Sequence, residues 1–125
     1  MLRILLADHH PHILRAFEML LREEQEIDLI GVAEDTESLL RLAETSPVDL
    51  FLVDWKLPGS PIEDLIDSLH ALEPRPFVIV MSSEIEYSRT ALKAGADAFV
   101  SKSDEPNWLL ETLHKFEYRR KDEKK

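Results

Sequence analysis

Cysteine is absent from this 125-residue chain, which excludes disulfide staples, thiolate metal sites and thiol nucleophiles. Glycine occurs only three times, too seldom for the Gly-rich loops that cradle phosphates in dinucleotide-binding or P-loop enzymes. Cationic charge is scarce as well: 15 Lys and Arg face 25 Asp and Glu, a net charge of -10. A domain so acidic has little with which to neutralise a phosphate backbone, so nucleic acid is not expected as its own ligand. No apolar run approaches the ~20 residues that cross a bilayer. Met1 leads into a strand-like segment instead of a leader with a charged start and an apolar core. No membrane contact and a cytoplasmic location are therefore expected.

What is present describes one soluble domain. The hydrophobic fraction is 44% and the charged fraction 32%, and a chain of this size buries roughly two-thirds of its unfolded surface around a single core. Short apolar runs at Arg3–Ala7, Ile27–Ala33, Asp49–Val53, Phe77–Met81 and Ala98–Ser101 alternate with longer amphipathic stretches. Four of the five are too continuously apolar for half-exposed strands and read as strands covered on both faces. The stretches His12–Arg22, Thr36–Glu44 and Ile62–Leu72 place apolar residues at three- and four-residue spacing, as helices lying on a sheet do. A fourth helix is expected near Ile85–Ala94, closed by a left-handed Gly95, and a last one from Pro106-Asn107 onward. The expected architecture is α/β, a doubly wound parallel sheet. From Arg119 to Lys125 five cationic and two anionic side chains follow one another, which predicts a frayed helix end running into a solvated tail.

Ligands of such sheets bind outside the carboxyl ends of the strands, so the strand ends carry the chemistry. The first ends at Asp8-His9-His10, the third at Asp54, the fourth at Ser82-Ser83 and the fifth at Ser101-Lys102. Two carboxylates, a hydroxyl and an amine thus converge on one rim. Phosphoryl transfer to a carboxylate needs these groups: an aspartate nucleophile, a cation, and donors aimed at the phosphoryl oxygens. Asp54 is the candidate nucleophile. Asp8 is the candidate holder of Mg²⁺, helped by the backbone carbonyl of Lys56. Lys102 would pair with the phosphoryl group, and Ser82 would hydrogen-bond to it, with Ser83 as an alternative if the strand ends one residue later.

Four motifs stand in order along the chain: ILLADHHP at Ile4–Pro11, LFLVDWKLPG at Leu50–Gly59, VIVMSS at Val78–Ser83 and ALKAGADAFVSK at Ala91–Lys102. Together they resemble the receiver domain of bacterial response regulators, over residues 2 to 117. The DHHP turn and the FVSKS segment further resemble regulators whose output is a helix-turn-helix DNA-binding domain. The resemblance implies a flavodoxin-like (βα)5 fold in three αβα layers, with residues 1–118 as the domain and 119–125 as a charged tail or the start of a linker. It implies that a histidine kinase or phosphotransfer protein donates a phosphoryl group to Asp54, with Asp8 among the Mg²⁺ ligands, Ser82 as the switch hydroxyl and Lys102 as its phosphoryl partner. It places Phe99 where an aromatic swings inward on switching. Output, to another domain or to a second copy in a homodimer, is implied through the fourth helix, fifth strand and fifth helix. Such a module signals and turns over no metabolite.

Two departures bear on that reading. The family usually carries a second acid where this chain has His9. Removing a negative charge there is expected to weaken Mg²⁺, to suit a softer cation such as Mn²⁺, or to lessen dependence on metal. The stretch from Ser82 to Lys102 is also shorter than the family spacing. The alternative is a pseudo-receiver, a protein-interaction domain with little or no phosphorylation; a small metal-dependent phosphatase is a third reading.

Overall fold

The computed structural model describes residues 1–123, with side chains through residue 120. The chain runs β1 (Leu2–Ala7), α1 (Pro11–Arg22), β2 (Ile27–Ala33), α2 (Thr36–Thr45), β3 (Leu50–Asp54) and α3 (Ile62–His70). It continues through β4 (Phe77–Ser82), a 3₁₀ turn (Ile85–Tyr87), α4 (Ser88–Lys93), β5 (Ala98–Ser101) and α5 (Pro106–Glu123). All strand pairs are parallel, in the order β2-β1-β3-β4-β5. This is the expected doubly wound (βα)5 sheet.

Every residue of β3 and β4 is buried, whereas edge strand β2 exposes Asp28. The near-continuous apolar runs therefore mark strands with a helical layer on each face. Side chains alternate along a strand, and the core divides accordingly. Ile4, Leu6, Leu50, Leu52, Ile79, Met81 and Val100 pack with Leu14 and Leu21 of α1 and Leu109, Leu113 and Phe116 of α5. Leu5, Ala7, Phe51, Val53, Val78 and Val80 pack on the other face with Leu39 of α2, Ile66 and Leu69 of α3 and Ala91 of α4. Strand order reverses between β1 and β3, and the crevice at such a point is where doubly wound sheets bind ligands.

The helices begin where chain chemistry permits. Pro11 occupies the first turn of α1, where a missing N–H costs least, and the Asp35 side chain caps α2 by accepting from Ser38 N at 2.7 Å. Gly95 closes α4 at φ 112°, as its position predicts. The expected fourth helix from Ile85 is split instead into a 3₁₀ turn and a short α4. Ile85 is 68% exposed and only Ala91 of α4 is buried, so no apolar stripe holds a full first turn against the sheet.

The tail also differs from expectation. Helix α5 runs on to Glu123, and Arg120 is buried. Its guanidinium donates to the carbonyls of Asp49 at 3.2 Å and Arg75 at 3.1 Å and lies over the Phe77 ring. An arginine docked on two carbonyls and an aromatic face is no solvated residue; residues 124 and 125 lie outside the described residues. Among those described, no helix is long and apolar enough to cross a membrane.

Arg120 shares its anchor, Asp49, with Arg3. Asp49 Oδ2 accepts from the Arg3 backbone N–H at 2.9 Å and from Nε at 3.2 Å. Burial opposes ionisation of Asp49, but the Arg3 bonds outweigh it and hold the carboxyl below its ordinary value. A depressed carboxyl contributes stability that is complete above the unfolded value of about 4 and is lost as pH falls through the folded one. Asp49→Asn is thus expected to be less stable than the parent at pH 7, by about 1–3 kcal/mol for a buried charged hydrogen bond. The gap should narrow below about pH 4. Urea melts at pH 7 and in the acid range check this; a gap of constant size contradicts it.

Candidate functional site

The same alternation that builds the core aims the site. Asp8 continues the row of Ile4 and Leu6, Asp54 the row of Leu50 and Leu52, and Lys102 the row of Val100, so all three leave the strand ends toward the α1/α5 face. Ser82 continues the row of Val78 and Val80, and Phe99 packs with the same opposite cluster. Sequence period alone therefore sorts the candidates into two sets.

The first set meets. Lys102 Nζ lies 3.0 Å from Asp54 Oδ1 and 2.7 Å from Asp8 Oδ2. The three are nearly sealed, with side-chain exposures of 5%, 2% and 0% respectively, so each charge depends on the others for compensation. The contact to the buried Asp8 Oδ2 is an ion pair. The other oxygen, Asp8 Oδ1, accepts from the His10 backbone N–H at 2.8 Å.

His9 joins them. Its backbone N–H donates to Asp54 Oδ2 at 3.3 Å, and its ring Nδ1 meets the same oxygen. The Lys56 backbone N–H donates to Asp54 Oδ1 at 3.1 Å. Burial pushes the Asp54 carboxyl up, but the bonds from His9, Lys102 and the Lys56 amide together bring it below its ordinary value. Asp54 is accordingly an ionised carboxylate at neutral pH, and ionisation is what a nucleophile needs. Two carboxylates against one ammonium leave the pocket negative.

Among the described residues, no hydrogen bond or ion pair joins the second set to Asp54. Ser82 Oγ accepts from Glu84 N at 3.0 Å, and the Ser82 carbonyl accepts from Lys102 N at 2.9 Å. Strand β4 ends at Ser82, and Ser83 is exposed. Phe99 is half-buried. Two features escaped sequence reasoning. Lys56 Nζ pairs with Glu84 Oε1 at 2.6 Å, and the Trp55 ring stacks on Tyr87 with centroids 5.1 Å apart. They tie the loop after Asp54 to the loop after Ser82. Since Trp55 and Tyr87 lie 32 positions apart, no local pattern announces the pairing.

Comparison with known proteins decides the family. The model of the response regulator receiver domain matches residues 4–114. The chain belongs to this family. Receiver domains are signalling modules of two-component systems, and response regulators take their phosphoryl group from histidine kinases. This receiver domain is 36% identical over 113 residues to the nitrate/nitrite response regulator protein NarL of Escherichia coli K12, covering 89% of the chain and 52% of that protein. It is 30% identical over 112 residues to the Fimbriae Z protein of the same organism, covering 88% and 53%. The chain thus spans about half the length of the curated relatives it matches.

Solved structures agree on the fold. The signal receiver domain of NarL from Mycobacterium tuberculosis superposes with a TM-score of 0.80 at 21% identity, covering 91% of this chain and 94% of that one. The isolated receiver domain of RcsB from Salmonella enterica serovar Typhimurium, solved with the phosphomimetic BeF3-, gives 0.80 at 20% identity, covering 90% and 86%.

Proposed function

We propose that this receiver domain is a phosphorylation switch with Asp54 as its phosphoacceptor. The observation that carries the reading is the shared ammonium: Lys102 Nζ stands within 3.0 Å of Asp54 Oδ1 at the sealed end of the sheet. From there it reaches an oxygen of a group newly attached to Asp54. In the transfer, an Asp54 carboxylate oxygen attacks the phosphorus of a phosphohistidine and the P–N bond breaks. An acyl phosphate is left on Asp54, and the freed imidazole of the donor takes a proton. Lys102 then compensates the added charge as a point cation.

The residues present fit a divalent ion. Asp8, His9 and Asp54 each offer a donor atom, all within 4.8 Å of one another, in a pocket left negative by its second carboxylate. Asp8 Oδ2, buried and paired with the Lys102 ammonium at 2.7 Å, keeps a further lone pair to give. Asp8, Asp54, the Lys56 carbonyl and His9 would hold Mg²⁺, or Mn²⁺ in its place. When bound, the ion neutralises charge on the phosphoryl oxygens.

Ser82 and Phe99 are the proposed switch pair. The Ser82 hydroxyl accepts from Glu84 and keeps its own proton to donate toward a phosphoryl oxygen. Phe99, half-buried on the same face, follows it inward. The change would be read at α4, β5 and α5, by a helix-turn-helix output domain or a second copy. Residues 1–118 are the proposed switching unit, with the charged segment 119–125 leading out of it and Arg120 as its anchor.

Incubation with acetyl phosphate in Mg²⁺, and separately in Mn²⁺, tests the reading. The parent is expected to gain the mass of one phosphoryl group, and Asp54→Asn is expected to gain none. No gain with either metal would identify a pseudo-receiver.

A further inference from the structure

His9 stands where the phosphoacceptor pocket opens, and it is the one nitrogen donor among oxygens. Its ring is aimed inward by more than one contact. The His9 backbone N–H and ring Nδ1 both address Asp54 Oδ2, and the His10 ring packs against it with centroids 3.9 Å apart. Nδ1 also lies 3.9 Å from Asp8 Oδ1. One atom from each of Asp8, His9 and Asp54 lies within 4.8 Å of the others, a spread that has to close only to about 4.4 Å for one ion bonded at about 2.2 Å to each. Asp8 is fully buried, and its Oδ2 already holds one cation, the Lys102 ammonium, at 2.7 Å. The His9 side chain keeps 28% of its surface open, which admits the waters that complete a coordination shell.

Resting on the reading of Asp54 as phosphoacceptor, the geometry points to His9 Nδ1 as a metal ligand that turns the pocket toward borderline first-row cations, Mn²⁺, Co²⁺ and Zn²⁺, over Mg²⁺. A cation would sit between Nδ1 and the two carboxylates. Mg²⁺ is hard, wants six oxygens and gives up water reluctantly. An imidazole offers it a poor donor in a set one charge less negative than three carboxylates. Borderline ions gain from the same nitrogen, and affinity rises from Mn²⁺ through Co²⁺.

The experiment titrates the 125-residue chain, its His9→Asp variant and its His9→Ala variant with Mg²⁺ and with Co²⁺, following backbone amides and histidine ring protons by NMR. In the parent, Co²⁺ is expected to shift the amides of Asp8, Asp54 and Lys56 together with the His9 ring, at concentrations at least about tenfold below those Mg²⁺ needs. His9→Asp is expected to tighten Mg²⁺ at least about tenfold and to shrink the preference for Co²⁺. His9→Ala loses the preference without gaining Mg²⁺ affinity.

The proposal falls if Co²⁺ moves Asp8 and Asp54 while the His9 ring stays unshifted, if the three proteins rank the ions alike, or if neither ion shifts the pocket. Shifts confined to His114 and its neighbours Glu24, Glu26 and Glu117 count against it too. Acetyl phosphate labelling of the same samples separates the two readings. A chain that ranks the metals as stated yet gains no phosphoryl mass defeats the phosphoacceptor reading alone.

Discussion

Lys102→Ala is expected to lose phosphoryl uptake and to destabilise the domain together, by about 3–5 kcal/mol at pH 7, the cost of leaving buried charge without its partner. The ammonium is 5% exposed and stands 2.7 Å from one carboxylate and 3.0 Å from the other. Without it, Asp8 and Asp54 are two buried carboxylates with no ammonium between them. The sign of the pH dependence follows from Asp54. In the parent its carboxyl lies below the ordinary value, with burial raising it and the bonds of His9, Lys102 and Lys56 lowering it further. The stability this contributes is complete above the unfolded value of about 4 and is lost as pH falls through the folded one. Removing Lys102 takes away part of the downward pull. The deficit of the variant should therefore be widest at neutral pH and narrow as the carboxyls protonate. Urea melts of both proteins from pH 7 downward read it, and a deficit that widens in acid contradicts the account. Lys102→Arg keeps charge but cannot place a compact ammonium between two carboxylates, so it should recover stability in part and labelling hardly at all.

Phe51→Ala is the expected extreme for packing, at about 3–5 kcal/mol. Phe51 is fully buried on central strand β3 and belongs to the cluster under α2, α3 and α4. Its register partners, Leu5 on β1 and Val78 on β4, are fully buried as well. Both neighbouring strands are held by their own ladders and cannot close the cavity. The next residues of the same strand end in Asp54, so a disturbed β3 also blurs the position of the nucleophile. Chemical denaturation checks the loss, and a cost under about 1.5 kcal/mol, the range of volume-conserving core swaps, contradicts it.

Much of this was legible beforehand. The five strands and the five helical stretches follow from the switch between continuous apolar runs and three-to-four spacing, because a two-sided parallel sheet demands the one and a surface helix the other. The convergence of Asp8, Asp54 and Lys102 follows from the rule that ligands gather at strand carboxyl ends. The strand-end rule set the Ser82 hydroxyl on the same rim as the acids, while strand alternation turns Ser82 and Phe99 toward the other face.

Other features were hidden for identifiable reasons. The split of the fourth helix depends on how much of Ile85 the sheet leaves exposed, and burial is a property of the folded layers. The docking of Arg120 depends on carbonyls of Asp49 and Arg75 that lie far away in sequence. The charge run around it reads as solvated because a run has no memory of what it will touch. The bond from the Lys56 N–H to Asp54, a contact separate from the proposed metal ligation by its carbonyl, depends on how the loop after β3 turns back on the carboxylate.

By itself the order of residues determined the layering of the sheet, the rim on which the chemistry gathers and the types of group supplied there, since these depend on periodicity and strand direction. Only the tertiary structure decided that His9 turns its ring onto Asp54, that Trp55 stacks on Tyr87 and that Arg120 closes the base of α5. Each of these is a contact between side chains brought together by packing, and their meeting is set by distance in space.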